Sequence, residues 1–292
     1  CVFAWAEASA TGEMPWEPEA AWVAQIRREA GRLIGADMAD LCCALDRALT
    51  RPTMEEEFQF LAAVGVLGVL LPEVAALIGF HSGCSVHHKD LWEHTLKVTA
   101  KIPADPDLRW AALMHDAGKI GTRTVLGSKV SFLRHEALGA WLMQGVGTRL
   151  SMPADRIDRI TFVIGHHGRI NAYEPGWSDR AVTRLIRDAG LRLDDLLAFS
   201  SADYTTKRTS KAARITANLA HLRARIAALS APSPWTPPQD LGDHLAETLN
   251  LARGPMLGDM IRWLREEVID GRLPPEATVE ACLEHVRTRV VA

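Results

Sequence analysis

Apolar residues recur along this chain at three- and four-residue spacing, and strand-like alternation is nearly absent. The pattern predicts a helix over residues 18–35, with Trp22, Ile26 and Leu33 on one side and Arg27, Arg28 and Arg32 elsewhere. A second covers 36–50, where Leu41, Leu45 and Leu49 fall at i, i+4 and i+8. Thr53 with Glu56 three residues on has the form of a capping box, so a helix is expected to start at 53. Phe60 to Leu71 is the most apolar stretch, too short for a bilayer, and reads as one buried core helix ended by Pro72. Gly79 to Val86 reads as a loop, followed by helices near 89–102, 107–117, 134–150, 154–168, 179–189, 193–203 and 207–229. Four prolines between Ala231 and Gln239 mark a linker. A last helical piece covers 241–290, with breaks at Gly254-Pro255 and from Gly271 to Pro275.

This describes an all-α protein with an N-terminal helical region (1–79), a helical bundle (80–230) and a C-terminal helical tail (231–292). Neither an internal repeat nor a low-complexity tract interrupts it. The length of 292 residues, 48% hydrophobic and 24% charged content suit a globular chain with a sizeable core. A formal charge of −3 gives no overall reason to expect nucleic acid. The five cysteines form no CxxC pair and leave an odd one over, as reduced thiols of a cytosolic protein do. With no basic leader and no spanning stretch, a cytoplasmic location is expected.

Candidate chemistry centres on His115-Asp116, within Ala-Leu-Met-His-Asp-Ala-Gly-Lys. His94 precedes it; His135, the doublet His166-His167, and Asp203 follow. Imidazole and carboxylate are the donors that hold hard-to-borderline divalent metals. Side chains from separate helices can converge in a bundle core. Such a centre can activate water against a phosphate ester. Adjacent on a helix, His115 and Asp116 would point about 100° apart; Gly118 is expected to end the helix and open space for the metal. His81, Cys84, His87 and His88 have spacing that also suits a zinc chelate. Trp92 and Trp110 fall at core spacing.

The order His94, His115-Asp116, Asp203 resembles the H…HD…D signature of the HD-domain metal-dependent phosphohydrolase superfamily, and His135 with His166 or His167 resembles its multi-metal branch. The likeness extends to the bacterial tRNA nucleotidyltransferases and poly(A) polymerases. It is carried by His87 to Val98, Arg109 to Lys119, Phe132 to His135, Trp177 to Gly190, Ala202-Asp203 and Gly254 to Gly258, spanning roughly residues 55–275. The resemblance implies one metal on His94, His115, Asp116 and Asp203, and a second on Asp116, His135 and His166 or His167, with Asp116 bridging. Mn, Ni, Fe or Co fit that donor set, with Mg as a further candidate. It also implies that Lys119 stands beside the site to neutralise a phosphate oxygen. His87 would line the pocket, with Arg123 and Arg134 as further phosphate contacts. Glu93 and Glu136 are either partners of ligand imidazoles or solvated charges.

The segment from Tyr204 to Gln239 carries no acid, and Lys207, Arg208, Lys211, Arg214, Arg223 and Arg225 make it basic. It is either a solvated face or a guide for a phosphodiester backbone. The Gly-Gly-x-Val-Arg-Asp signature of the nucleotidyltransferase head is absent from the sequence, so nucleotide addition is not implied. The expected activity is hydrolysis of nucleotides or RNA ends, tRNA-like ones included, by a phosphatase or 2′,3′-cyclic phosphodiesterase. The alternatives are a non-catalytic RNA-binding module and a C-terminal fragment of a tRNA nucleotidyltransferase.

Overall fold

The computed structural model describes residues 20–80, 90–127, 129–204, 208–230, 235–250 and 254–290. His81, Cys84, His87, His88 and Lys207 lie outside the described residues, and with them the zinc reading and two substrate contacts. The chain divides into two compact units, residues 1–172 with 191–216, and residues 173–190 with 217–292.

In the first unit the elements are α1 (Ala20–Glu29), a 3-10 turn (Ala30–Gly35), α2 (Met38–Thr50), α3 (Met54–Ala63), α4 (Val66–Leu70) and α5 (Pro72–Ala75). After residue 90 come α6 (Leu91–Lys101), α7 (Pro106–Met114), α8 (Lys119–Thr122), α9 (His135–Arg149), α10 (Ala154–Asn171) and α12 (Leu193–Ala202). The fold is all-α, as the periodicity predicts, with one exception among the described residues. Thr124–Leu126 (β1) and Lys129–Ser131 (β2) pair antiparallel, Val125 opposite Val130. Two three-residue strands carry too little alternation to register as a pattern.

The expected helix from Phe60 to Leu71 is broken. Gly65 adopts φ +81°, a left-handed conformation that glycine enters without a Cβ penalty, and the chain restarts as α4. The expected capping box is also corrected. The Thr53 hydroxyl caps no backbone amide; it donates to buried Glu57 at 2.8 Å, which Arg51 also holds at 3.1 Å.

Elsewhere the helix starts follow from capping aspartates. Asp37 accepts from Ala39 and Asp40 N–H at 2.8 and 3.1 Å, Asp90 from Trp92 and Glu93 at 2.9 and 3.4 Å, and Asp105 from Leu108 at 3.0 Å with Pro106 in the first turn.

Helix α7 is buried along its whole length from Leu108 to Met114 and packs against α2, α6 and α10. Helix α10 packs against α7, α9 and α12, so these two helices form the axis of the unit. Arginines tie α10 in place: Arg156 forks onto Asp46 at 2.9 and 3.1 Å and reaches Asp107 at 2.7 Å, while Arg159 joins Asp105 and Asp195. Trp110 is fully buried and donates to Asp46 at 2.7 Å; Trp92 is buried as well.

The second unit holds α11 (Asp179–Ala189), the C-terminal part of α13 (Thr209–Ser230), α14 (Leu241–Leu249), α15 (Pro255–Ile269) and α16 (Val279–Val290). Its core joins Trp235, Leu241, Leu245, Leu264, Cys282 and Val286. Buried Glu267 accepts from Arg272 Nε at 2.6 Å and pairs with His285 at 2.8 Å. The Arg272 bond, against the cost of burial, and the His285 bond pull its carboxyl down to about 2.

A depressed carboxyl stabilises the fold above its unfolded pKa of about 4.5, and that contribution is lost as pH falls toward the folded value. Chemical denaturation from about pH 5 to about pH 3 should therefore show a midpoint for this unit that drops with acid. Glu267→Gln should be less stable at the upper pH and flatter across the range. Parallel profiles for the two proteins would show that the cluster adds nothing.

The compact units do not coincide with the three-part motif division at 80 and 230, because residues 173–190 return to pack with the tail while 191–216 stay with the bundle.

Candidate metal centre

Asp90 caps α6 and accepts the amide of His94, fixing His94 one turn into that helix. Helix α7 ends at Met114, so His115 is its C-cap and Asp116 lies in the turn beyond, rather than on the helix as the periodicity implied. Gly118 does not open space there. A Cβ on it would fall 2.1 Å from His135 O and 2.7 Å from Gly139 N. Its role is close approach: the turn carrying Asp116 presses directly on the start of α9, where His135 is the first residue.

Among the described residues four imidazoles gather around Asp116. His115 Nε2 is 3.3 Å from Asp116 Oδ2 and 3.6 Å from Asp203 Oδ1. His94 Nε2 lies 3.7 and 3.3 Å from the same two oxygens. His135 Nε2 lies 3.8 Å from Asp116 Oδ1. His167 is buried, its ring 5.4 Å from that of His115 and 5.5 Å from that of His135. Among the described residues, atoms that could bind a metal fall into two groups sharing Asp116, one with His94 and His115 and the other with His135 and His167. Asp203, just past α12, faces the first group. His166 joins neither group; its Nδ1 meets Phe162 O at 2.8 Å and its ring stacks on Phe162.

The Nδ1 atoms of His115, His135 and His167 each meet a backbone carbonyl, of Ala112 (2.7 Å), Phe132 (2.9 Å) and Ile164 (2.7 Å). A carbonyl only accepts, so Nδ1 carries the proton and Nε2 presents a lone pair. Acceptor atoms then face one another at 3.3–3.8 Å. His115 Nε2 is buried without a hydrogen-bond partner. Such convergence is costly unless a cation or a proton lies between the atoms. The donor set, imidazole and carboxylate without thiolate, fits a divalent transition metal.

In the metal-free protein the protons arrange accordingly. Burial, seconded by the charge on His115, pushes His167 down to about 4, and burial lowers His94. Burial disfavours charge on His115 as well, but Asp116 and Asp203 outweigh it and hold that imidazole above its ordinary value. Burial also opposes the Asp116 charge, yet His115 and Lys119 keep its carboxyl well below the usual range. Asp203 is lowered in the same way, with His94 against burial.

Lys119 Nζ sits 2.8 Å from Asp116 and 5.8 Å from the Phe132 ring centre. Arg123 and Arg134 are exposed on either side of the hairpin. Glu136 lies 3.2 Å from His135 Nδ1, whereas Glu93 is exposed and pairs with Lys97 at 3.4 Å. Arg208, just before α13, and Lys211, Arg214 and Arg223 on it are exposed. Arg225 instead meets Asp179 at 2.5 Å and the Trp177 carbonyl at 2.7 Å. The segment lacks acids in sequence, but its helix finds one in space.

Two neighbours of the centre escape a ligand-type scan. Phe199 packs its ring 5.4 Å from both His115 and His167. Asn171 donates to Asp203 at 2.6 Å; its position four residues after His167, on one helix face, was the available signal.

The HD domain family model matches residues 91–228, the stretch that supplies every residue of both groups. The A-adding tRNA nucleotidyltransferase of Deinococcus radiodurans is 31% identical over 232 residues, 76% of this chain and 52% of that protein. The CC-adding tRNA nucleotidyltransferase of Thermus thermophilus is 30% identical over 253 residues, 83% of this chain and 55% of that one. A multifunctional CCA protein of Variovorax paradoxus is 36% identical over 132 residues, 44% of this chain and 31% of its own. The chain thus spans about half the length of the first two relatives. Among the described residues no helix is long and apolar enough to cross a membrane. Matched motif, ligand geometry and relatives agree: the chain carries an HD domain of the metal-dependent phosphohydrolase superfamily and is related to tRNA nucleotidyltransferases.

Proposed function

We propose that this protein is a metal-dependent phosphohydrolase acting on nucleotides or RNA ends, as a phosphatase or 2′,3′-cyclic phosphodiesterase. The supporting observation is the buried convergence of imidazole and carboxylate acceptors on Asp116, with His115 Nε2 left without a partner. His94, His115, Asp116 and Asp203 would hold one ion, and Asp116, His135 and His167 a second. A divalent ion there supplies Lewis acidity and a water acidified toward neutral pH. Lys119, now paired with Asp116, would turn to a phosphate oxygen once cations neutralise that carboxylate. Arg123 and Arg134, on either side of the hairpin, would contact more distal phosphates. The HD portion would lie within residues 80–230, between N-terminal and C-terminal helical regions.

The test is reconstitution. Chelator-stripped protein is reloaded with Mn, Ni, Co, Fe, Mg or Zn and assayed on mononucleotides, nucleoside 2′,3′-cyclic phosphates and phosphorylated RNA ends. Mn or Ni should restore hydrolysis. Recovery with zinc alone, or indifference to chelator, would overturn the assignment.

The exposed basic residues Arg208, Lys211, Arg214 and Arg223, with relatives named for tRNA, favour a second reading as a non-catalytic RNA-binding module. In that case stripped protein would bind RNA with a steep salt dependence and hydrolyse nothing under any metal.

A further inference from the structure

Asn171 closes α10, one turn after His167, so the two residues share a helix face. Its Nδ2 donates to Asp203 Oδ2 at 2.6 Å, and its Oδ1 accepts from the Ser200 hydroxyl at 2.5 Å. The orientation of the amide is set by chemistry. A carboxylate offers only acceptors, so the NH2 end must face Asp203, which leaves the carbonyl end for a hydroxyl donor. Ser200 is buried on α12, three residues before Asp203.

Asp203 itself lies beyond the last turn of α12, with its amide donating to Phe199 O at 3.0 Å. Backbone bonding there fixes Cα but not the plane of the carboxylate. Asn171 engages Oδ2, and it is Oδ1 that turns to the centre, 3.3 Å from His94 Nε2 and 3.6 Å from His115 Nε2. Lys101 Nζ donates to Tyr204 O at 2.7 Å, one residue beyond Asp203.

We propose that Asn171, itself oriented by Ser200, is a positioning residue for the metal centre: it binds one oxygen of Asp203 so that the other faces the ion shared with His94 and His115. This rests on reading the centre as a metal site. Partners that orient a ligating carboxylate typically govern about 10–100-fold in metal affinity.

The experiment is a Mn2+ titration of the chelator-stripped full chain, with free Mn2+ followed by its paramagnetic resonance and the melting temperature of the metal-free protein measured in parallel. Asn171→Leu keeps the volume at an exposed helix end and removes the donor. It should weaken Mn2+ binding at least about tenfold while the metal-free melting temperature stays within about 2 °C of wild type. Ser200→Ala, which frees the amide to turn, should shift affinity the same way by less. Should leucine unfold the chain, Asn171→Ser, too short to reach Asp203, replaces it in the comparison. Affinity within about twofold of wild type in these variants would overturn the role of Asn171. So would a fall in metal-free melting temperature in proportion to the lost affinity, which marks a merely structural residue. If stripped wild type takes up no divalent ion, the metal reading itself falls.

Discussion

Asp116→Asn should abolish metal uptake and hydrolysis while leaving the fold intact. The substitution keeps the shape of a fully buried side chain, so no cavity forms. It removes the only carboxylate that, among the described residues, is common to both candidate ligand groups, and with it the negative charge that faces His94, His115, His135 and Lys119. Loss of a shared ligand costs more than loss of a peripheral one, since both ions of the proposed centre would depend on it. Metal content by elemental analysis should fall to background, and phosphoester turnover should drop by about 10³-fold or more. Circular dichroism and the melting profile should still report a folded helical chain. A variant that retains metal and activity would show that the reacting centre lies elsewhere. Asp116→Ala adds a cavity to the same chemical loss and should differ from the asparagine variant in stability alone.

The largest expected effect on stability belongs to a residue remote from the ligands. Arg109 is buried, and among the described residues its guanidinium meets carbonyls rather than a carboxylate. It donates instead to the carbonyls of Leu49 (2.5 Å), Arg51 (3.3 Å), Ile102 (3.2 Å) and Pro103 (3.3 Å). These carbonyls cluster at the C-terminal ends of α2 and α6, where helices leave acceptors unpaired and the dipole is negative. One planar, five-donor group thus caps two helices at once, although burial alone lowers its pKa. Arg109→Met should lower unfolding free energy by about 3 kcal/mol, because the stem's packing is kept but the carbonyls stay buried and unpaired. Arg109→Lys should recover only part of this, since a point ammonium cannot span both helix ends. Urea denaturation would read the change as a shifted midpoint at constant slope. A shift worth less than about 1 kcal/mol would mean that water reaches these carbonyls.

The sequence by itself determined the helical class, most helix boundaries and the identity of the ligand types. Helix 179–189 is placed as periodicity predicts, and the prolines and glycines at 254–255 and 271–275 separate the tail helices as expected. Local signals suffice there because capping and periodicity act within a few residues. HD spacing likewise brought His94, His115-Asp116 and Asp203 into view, since each is a residue type with few other buried uses.

What only the tertiary structure decided depended on distance between helices. His166 and His167 are adjacent and chemically equal in sequence, but the rotation of α10 against α7 and α9 turns one into the centre and the other onto Phe162. Gly118 reads locally as a helix stop, yet its constraint comes from the backbone of α9 seventeen or more residues away. Arg225 looks like part of a basic stripe until Asp179, far back in the chain, arrives beside it. Asn171 and Arg109 carry no motif of their own. Their partners are a carboxylate and carbonyls that packing alone delivers, because a hydrogen bond is settled by where the acceptor lies and not by the residue that donates.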